Sequence, residues 1–390
     1  MLEISGSDYG FDAKRVLRLA QNLIRIRSSH PEGNELDIVK YILTLFDGFD
    51  VRSDVVHHGA NRASLLLTLR GRDSGRKTAI VGHIDTIAPF DPHEWLHPPY
   101  AADYENGVIY GIGASNGKGG VAAMINSALC MLERGILPKN DVVMCFSADG
   151  DGSGIGATAL YEGGFLQNVT ELIFADPTNA EIGIAQKGVL WLEITASGPR
   201  IHVLEAQKSV SPLDRVLLLG RKLRNALKEM ASHPVLGKSL SYITNINTGN
   251  NDVCVIPGRV SATLDIRYSP LIREDVILSR VESIAKQEMS EHPGLKLEVQ
   301  TILSRAPIGI SEDAPIIRRF DACFRELNRQ PVKMGLGFYS DSSRLVPRLG
   351  VPFVLLGPGD WIFTDRGDEL VSLDSILFTS RVYTDYLTRA

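Results

Sequence analysis

Apolar residues at helical spacing open the chain. Val16, Leu17, Leu19, Ala20, Leu23 and Ile24 predict an amphipathic helix over residues 12–28. A second helix is predicted from Glu35 to Phe49, broken near Asp47-Gly48. Ala63–Leu69 and Thr78–Val81 are short apolar runs of the kind that buried strands make. Gly117–Arg134 reads as a helix behind a glycine-rich loop, Asp141–Ser147 as a buried strand, Gly154–Tyr161 as the start of another helix, and Glu171–Ala175 as the next strand. Strands alternating with helices imply a parallel, helix-covered sheet.

The pattern then changes. Val189–Thr195 alternates like a half-exposed strand, Val216–Met230 is helical, Leu240–Ile246 and Val253–Tyr268 read as strands, Val276–Met289 as a helix and Leu295–Ile302 as a strand. The order strand, helix, strand, strand, helix, strand is that of a ferredoxin-like α+β unit. From about residue 304 the first pattern returns, with a helix over Ile316–Asn328, a strand over Val351–Leu356 and a closing helix over Leu373–Leu387. The expected organisation is an α/β domain of residues 1–187 and 304–390, with residues 188–303 inserted as an α+β unit.

Composition narrows the function classes. With 44% hydrophobic and 22% charged residues over 390 positions, the chain can bury a sizeable core. A net charge of −5 without long single-sign runs argues against a nucleic-acid or anionic-membrane partner. Cys130, Cys145, Cys254 and Cys323 form no C-x-x-C pair, and buried free thiols in a reducing compartment are expected. Residues 1–8 have neither the basic region nor the apolar core of a secretory signal, and no apolar run approaches the roughly 18 residues of a membrane span. A cytoplasmic protein is expected.

The chemistry-bearing residues sit where strands end. His83 and Asp85 follow the run Thr78–Val81, Asn116 precedes a helix, Asp149 and Asp151 follow Val142–Phe146, and Asp176 follows Leu172–Ala175. Singly, each reads as a turn or capping residue. Jointly they match a hydrolytic metal site, which needs imidazole and carboxylate donors beyond the carboxyl ends of parallel strands. A phosphate loop around Lys118 is a weak reading, because Gly113-x-x-x-Gly117-Lys118-Gly119 lacks the required spacing and the Ser or Thr after Lys.

His83-Ile84-Asp85-Thr86, Gly111-Ile112-Gly113-Ala114-Ser115-Asn116-Gly117-Lys118-Gly119-Gly120, Asp149-Gly150-Asp151-Gly152-Ser153-Gly154, Asp176-Pro177-Thr178 and Gly357-Pro358-Gly359 together resemble the M20 family of zinc-dependent aminoacylases and carboxypeptidases over nearly the whole chain. The resemblance implies a mixed-sheet α/β catalytic domain with an inserted ferredoxin-like lid that dimerises, hence a homodimer. It implies His83 and Asp176 as ligands of one zinc, Asp85 as the orienting partner of His83, and Asn116, Asp151 and Asp365 at the remaining ligand positions. It places His202 as the lid histidine that stabilises an oxyanion, and Asn250, Asn251, Arg267, Asp341 and Gly357 around a substrate carboxylate or backbone. For Asp341, a substrate contact and a helix cap both stay open.

This chain departs from the family pattern at four of those positions. Asn116 replaces a bridging aspartate, Gly150 the glutamate general base, Asp151 a ligating glutamate and Asp365 a ligating histidine. Loss of a general base alone removes roughly 10²–10⁴-fold in rate. The set argues against two zinc ions and leaves either no metal or a single divalent metal, zinc or manganese. Three functions remain open: altered acyl chemistry on an N-acyl amino acid or peptide-like amide, such as amide formation, acyl transfer or rearrangement; amide hydrolysis at a reduced one-metal site with Asp151 as base; and ligand binding without catalysis. Reversion of all four positions is expected to raise zinc affinity.

Overall fold

The computed structural model describes residues 11–30, 32–89, 91, 94–363 and 367–389. The chain divides into two compact units: residues through Ile184 with Ile310–Met334 and those from Ser340 onward, and Ala185–Gly309 with Gly335–Tyr339.

In the first unit, the strand Asp73–His83 lies between Asn140–Ser147 and Val169–Phe174, parallel to both. The register pairs His83 with Ser147 and Val81 with Phe174, so three strand ends open on the same edge of the sheet. This is where an α/β sheet places chemistry. Phe353–Leu355 extends the parallel set beside Val169–Phe174. The purely parallel expectation fails on the other side: Ala63–Leu69 runs antiparallel to Asn140–Ser147, and Arg52–His57 antiparallel to Ala63–Leu69. The short loop after His57 can join only antiparallel neighbours, whereas a parallel pair needs a long crossover. The sheet is therefore mixed.

The helices form for local reasons. Asp12 caps Ala13–Arg25 by accepting from the Lys14 backbone N–H, and the helix buries Val16, Leu19, Ala20, Leu23 and Ile24 along one stripe. It ends three residues before its predicted limit, where Ile26 turns extended. The helix Gly119–Glu133 has no polar face; every residue from Gly119 to Met131 is buried. Such a helix belongs in an interior, and it packs on the closing helix Leu373–Arg389. Several short elements lacked a sequence signal. The short strands Asp103–Glu105, Val108–Tyr110 and Leu370–Ser372 form a small antiparallel sheet, and Ser342–Leu349 is a helix despite Pro347.

The second unit is a four-stranded antiparallel sheet in the order Leu240–Asn247, Arg259–Tyr268, Gly188–Ser197, Lys296–Arg305. With the helices Pro212–Glu229 and Glu274–Glu291 it has the ferredoxin-like arrangement. Leu190, Leu192, Ile194 and Ala196 alternate inward to form its core. The predicted strand Val253–Tyr268 is split at Pro257-Gly258 into Val255–Ile256 and Arg259–Tyr268, because Pro lacks the N–H that the ladder requires. Cys130, Cys145 and Cys323 are buried free thiols, while Cys254 is exposed, against the expectation for it. Among the described residues, no helix is long and apolar enough to cross a membrane.

Ile80 is fully buried on the central parallel strand. Ile80→Ala is expected to lower stability in urea unfolding by about 2–5 kcal/mol; a loss within experimental error would mean that this strand is not the core.

Candidate active site

The strand ends of the first unit bring His83, Asp85, Asn116, Gly150, Asp151, Asp176 and Asp341 into one region. Asp85 is its anchor. It is fully buried, and its Oδ1 accepts the Gly150 N–H at 2.7 Å while Oδ2 accepts the Asp151 N–H at 3.0 Å and His30 Nε2–H at 3.0 Å. Burial alone would raise its pKa, but the hydrogen bond from His30 and the neighbouring His83 imidazole hold it well below the usual carboxylate range. A charged, saturated carboxylate therefore fixes the loop that carries Gly150 and Asp151.

The imidazole of His83 faces acceptors on both sides. Nδ1 lies 3.1 Å from the Asp85 carbonyl oxygen, and Nε2 lies 3.0 Å from Asn116 Oδ1. The orientation of the amide follows from its other neighbour: Asn116 Nδ2 donates to Asp151 Oδ1 at 2.9 Å, and an ionised carboxylate only accepts. The amide oxygen must then face His83. Both ring nitrogens thus face oxygen atoms, a setting that favours the protonated ring. Burial opposes that charge, but Asp151, hydrogen bonding to Asp85, and the charges of Asp85 and Asp341 outweigh it and raise the His83 pKa well above 6.5.

Two glycines close on this ring. A Cβ at Gly117 would stand 2.6 Å from His83 Nε2, and one at Gly150 would stand 2.4 Å from His83 Cβ. Position 150 thus has no room for the first carbon of a side chain, so a reversion that includes Gly150→Glu meets His83 before its carboxylate finds a place.

Two further carboxylates are buried nearby. Asp176 Oδ2 accepts Ser340 Oγ–H at 2.7 Å, and Asp341 Oδ2 accepts from Ser147 Oγ. Burial raises both pKa values to about 6. Asp341 stands at the N-terminus of the helix Ser342–Leu349 but makes no side-chain cap bond, and its Oδ1 is buried with no hydrogen-bond partner among the described residues. This removes the helix-cap reading. Gly357 serves backbone packing: its N–H donates to Thr178 Oγ1 at 3.1 Å, and a Cβ there would lie 2.4 Å from the Asp176 carbonyl. Asp365 lies outside the described residues.

His30, Arg62 and Glu35 had no visible sequence signal. His30 also lies 3.2 Å from Asp149 Oδ1, which accepts from Arg62 at 2.9 Å, and Arg62 pairs with the fully buried Glu35 at 2.6 Å. Glu369 takes the backbone N–H groups of Gly113, Ser115 and Asn116 at 2.8–2.9 Å, which holds the loop that presents the amide. Burial raises the Glu369 pKa to about 7 despite those donors. Lys118 Nζ donates to the Ile26 carbonyl at 2.8 Å from a fully buried position, which removes the phosphate-loop reading.

The remaining sequence candidates belong to the second unit. Arg267 already makes a forked pair with Asp265, at 2.7 and 2.8 Å, as two residues on one face of a strand do. Trp191 Nε1 donates to the same carboxylate at 3.0 Å. Asn250 Nδ2 donates to the carbonyls of Asp252 and Val255, so this amide holds its own loop. His202 and Asn251 are exposed, and His202 Nδ1 accepts the Leu204 N–H at 3.3 Å.

Residues 79–389 match the sequence profile of Peptidase family M20/M25/M40. The chain is similar to a probable succinyl-diaminopimelate desuccinylase of Staphylococcus aureus, 22% identical over 395 residues that cover 94% of this chain and 95% of the relative. Among solved structures it is similar to the aminopeptidase PepT of Bacillus cereus, with a TM-score of 0.77 at 16% identity over 97% of this chain and 98% of the other. It is also similar to the YXEP protein of Bacillus subtilis, a dinuclear metal-binding peptidase of the M20 family, with a TM-score of 0.70 at 15% identity over 96% and 97% of the two chains.

Among the described residues, no carboxylate bridges His83 and Asp151. His83, Asp85 and Asp151 lie close enough together to surround an ion, but both Asp85 oxygens are held by N–H donors. The residue between His83 and Asp151 presents one oxygen and one NH₂ group, and an amide NH₂ has no lone pair for a metal.

Two measurements test this geometry. Arg62→Met leaves Glu35 buried without its cation and is expected to cost about 3–5 kcal/mol in urea unfolding; a loss below about 1 kcal/mol would show that the pair anchors nothing. For Asp341, the folded pKa of about 6 exceeds the ordinary value of about 3.9, so folding favours the protonated acid. That contribution is fully present below about pH 4 and is lost as pH rises through about 6. Asp341→Asn copies the protonated form. Its stability relative to the parent should therefore rise by on the order of 2 kcal/mol between about pH 4 and 7 in chelator-containing buffer, and a difference independent of pH would contradict the burial.

Proposed function

The chain belongs to Peptidase family M20/M25/M40, and on that footing we propose that it acts on an N-acyl amino acid or a small peptide-like amide bearing a carboxylate, by acyl chemistry that does without two-zinc activation of water. The desuccinylase and the aminopeptidase among its relatives support the substrate class. One observation carries the chemical part: the position where the resemblance expects the general base is Gly150, and His83 stands 2.4 Å from where its Cβ would be. No side chain from that position can take a proton from water.

The chain's own groups divide the remaining work. Asp85 holds the Gly150–Asp151 backbone, and Glu369 holds the backbone of Asn116. His83 stands behind the site in surroundings that favour its protonated form. Asp151, whose side chain is 17% exposed against 0% for Asp85, is the carboxylate placed to meet a ligand. Amide formation, acyl transfer or rearrangement needs an oriented amide and a positioned charge rather than an activated water.

A second reading, a one-metal hydrolase with Asp151 as base, draws on charge. Asp85, Asp151, Asp176 and Asp341 cluster about His83, with His30 on Asp85 as well, and one divalent ion would offset the excess acidity. We also read the chain as a cytoplasmic homodimer. Its free cysteines support the compartment. The terminal strand Leu240–Asn247 supports the dimer, since it leaves Leu240, Tyr242 and Ile246 exposed at a sheet edge.

The test is a panel of N-succinyl and N-acetyl amino acids and dipeptides, followed by calorimetric binding and, with a second amine present as acyl acceptor, by release of the first amine. Saturable binding is expected, with amine release neither raised by zinc or manganese nor abolished by a chelator. Turnover that a chelator stops and zinc restores would overturn the proposal in favour of the one-metal hydrolase.

A further inference from the structure

A side chain that bridges two metal ions must offer a lone pair to each. Asn116 occupies the place between His83 Nε2 and Asp151 Oδ1, at 3.0 and 2.9 Å, and offers one lone-pair face and one hydrogen-bearing face. Its orientation is set at the Asp151 end, where the carboxylate accepts from Nδ2. Turning the amide over would set its oxygen against a carboxylate and lose that bond. The backbone cannot shift to relieve this, since Glu369 holds the N–H groups on and before Asn116 and Gly117 lies against the His83 ring. Asp85 is already engaged, because the Gly150 and Asp151 backbone N–H groups and His30 donate to it, and leaving them to become a replacement ligand would break those bonds.

We propose that this centre has exchanged the second metal ion for the NH₂ group of Asn116: the hydrogen-bonded chain His83–Asn116–Asp151 stands where the ion pair of a dinuclear relative stands, and the protein binds no second divalent ion. The Asn116 amide delivers to Asp151 the partial positive charge that an ion would deliver. It does so without a cofactor, so the chain is intact in metal-free protein. The inference rests on membership of the family and on the donor chemistry of the site, not on any substrate.

Metal counting tests it without substrate. The purified full-length chain is stripped with a chelator, titrated with Zn²⁺ and then with Mn²⁺, and weighed by native mass spectrometry beside Asn116→Asp. The parent is expected to take up at most one ion, and Asn116→Asp one ion more than the parent, because the new carboxylate supplies the missing lone pair. Two ions in the parent, or equal counts in both proteins, would overturn the proposal. Should Asn116→Asp not fold, anomalous diffraction at the zinc edge on parent crystals soaked in Zn²⁺ decides the matter. A peak between Asn116 and Asp151 refutes the exchange, and its absence there supports it. Chelator-sensitive amine release with a single bound ion would sink the proposed metal-independent chemistry while leaving this inference standing.

Discussion

Three donors converge on the buried carboxylate of Asp85, and the rest of the centre depends on that convergence. Two are backbone N–H groups of Gly150 and Asp151, and the third is His30. The carboxylate joins the end of one parallel strand to the loop after its neighbour, and it fixes which atoms that loop can present. With the loop held there, Gly150 lies against His83 and Asp151 reaches Asn116. A buried charge without such donors would cost several kcal/mol. With them, it becomes the most constrained point of the site.

The same solution recurs around it. Glu369 is held by three backbone N–H groups and Asp149 by the Ser153 backbone and hydroxyl, with Arg62 beside it. Asp176 and Asp341 take hydroxyl donors from Ser340 and Ser147. Neutral dipoles of the polypeptide thus stabilise most of the acidic groups in the region, and His83, His30 and Arg62 each lie against more than one of them. This is a polar network in which geometry, rather than an ion, sets the charge distribution.

The fold was largely legible because its signals are local and periodic. The apolar runs before His83, Ser147 and Asp176 located three strand ends, and parallel pairing then brings those ends to one edge. The change of pattern near residue 188 marked the ferredoxin-like insert by element order alone. The candidate site was legible as a set of residue types at strand ends, but not as a set of contacts. Glu35 and Arg62 are 27 positions apart and Asp341 lies 194 positions from Ser147. No periodicity links such pairs, since tertiary structure alone makes them neighbours. The steric closure at Gly150 was invisible for the same reason: a glycine in a sequence shows a missing side chain, not whether there is room for one. Arg267 illustrates the converse. Its residue type suits a substrate carboxylate, yet Asp265 two positions earlier already holds its fork.

The grip of Glu369 on Gly113, Ser115 and Asn116 has a temporal side. The loop and its clamp are 253–256 positions apart, so its amides gain their acceptor only when a contact of very long sequence separation closes. Local helices and strands do not wait for such a contact, whereas the loop that presents Asn116 does. The centre is therefore organised after the elements that frame it.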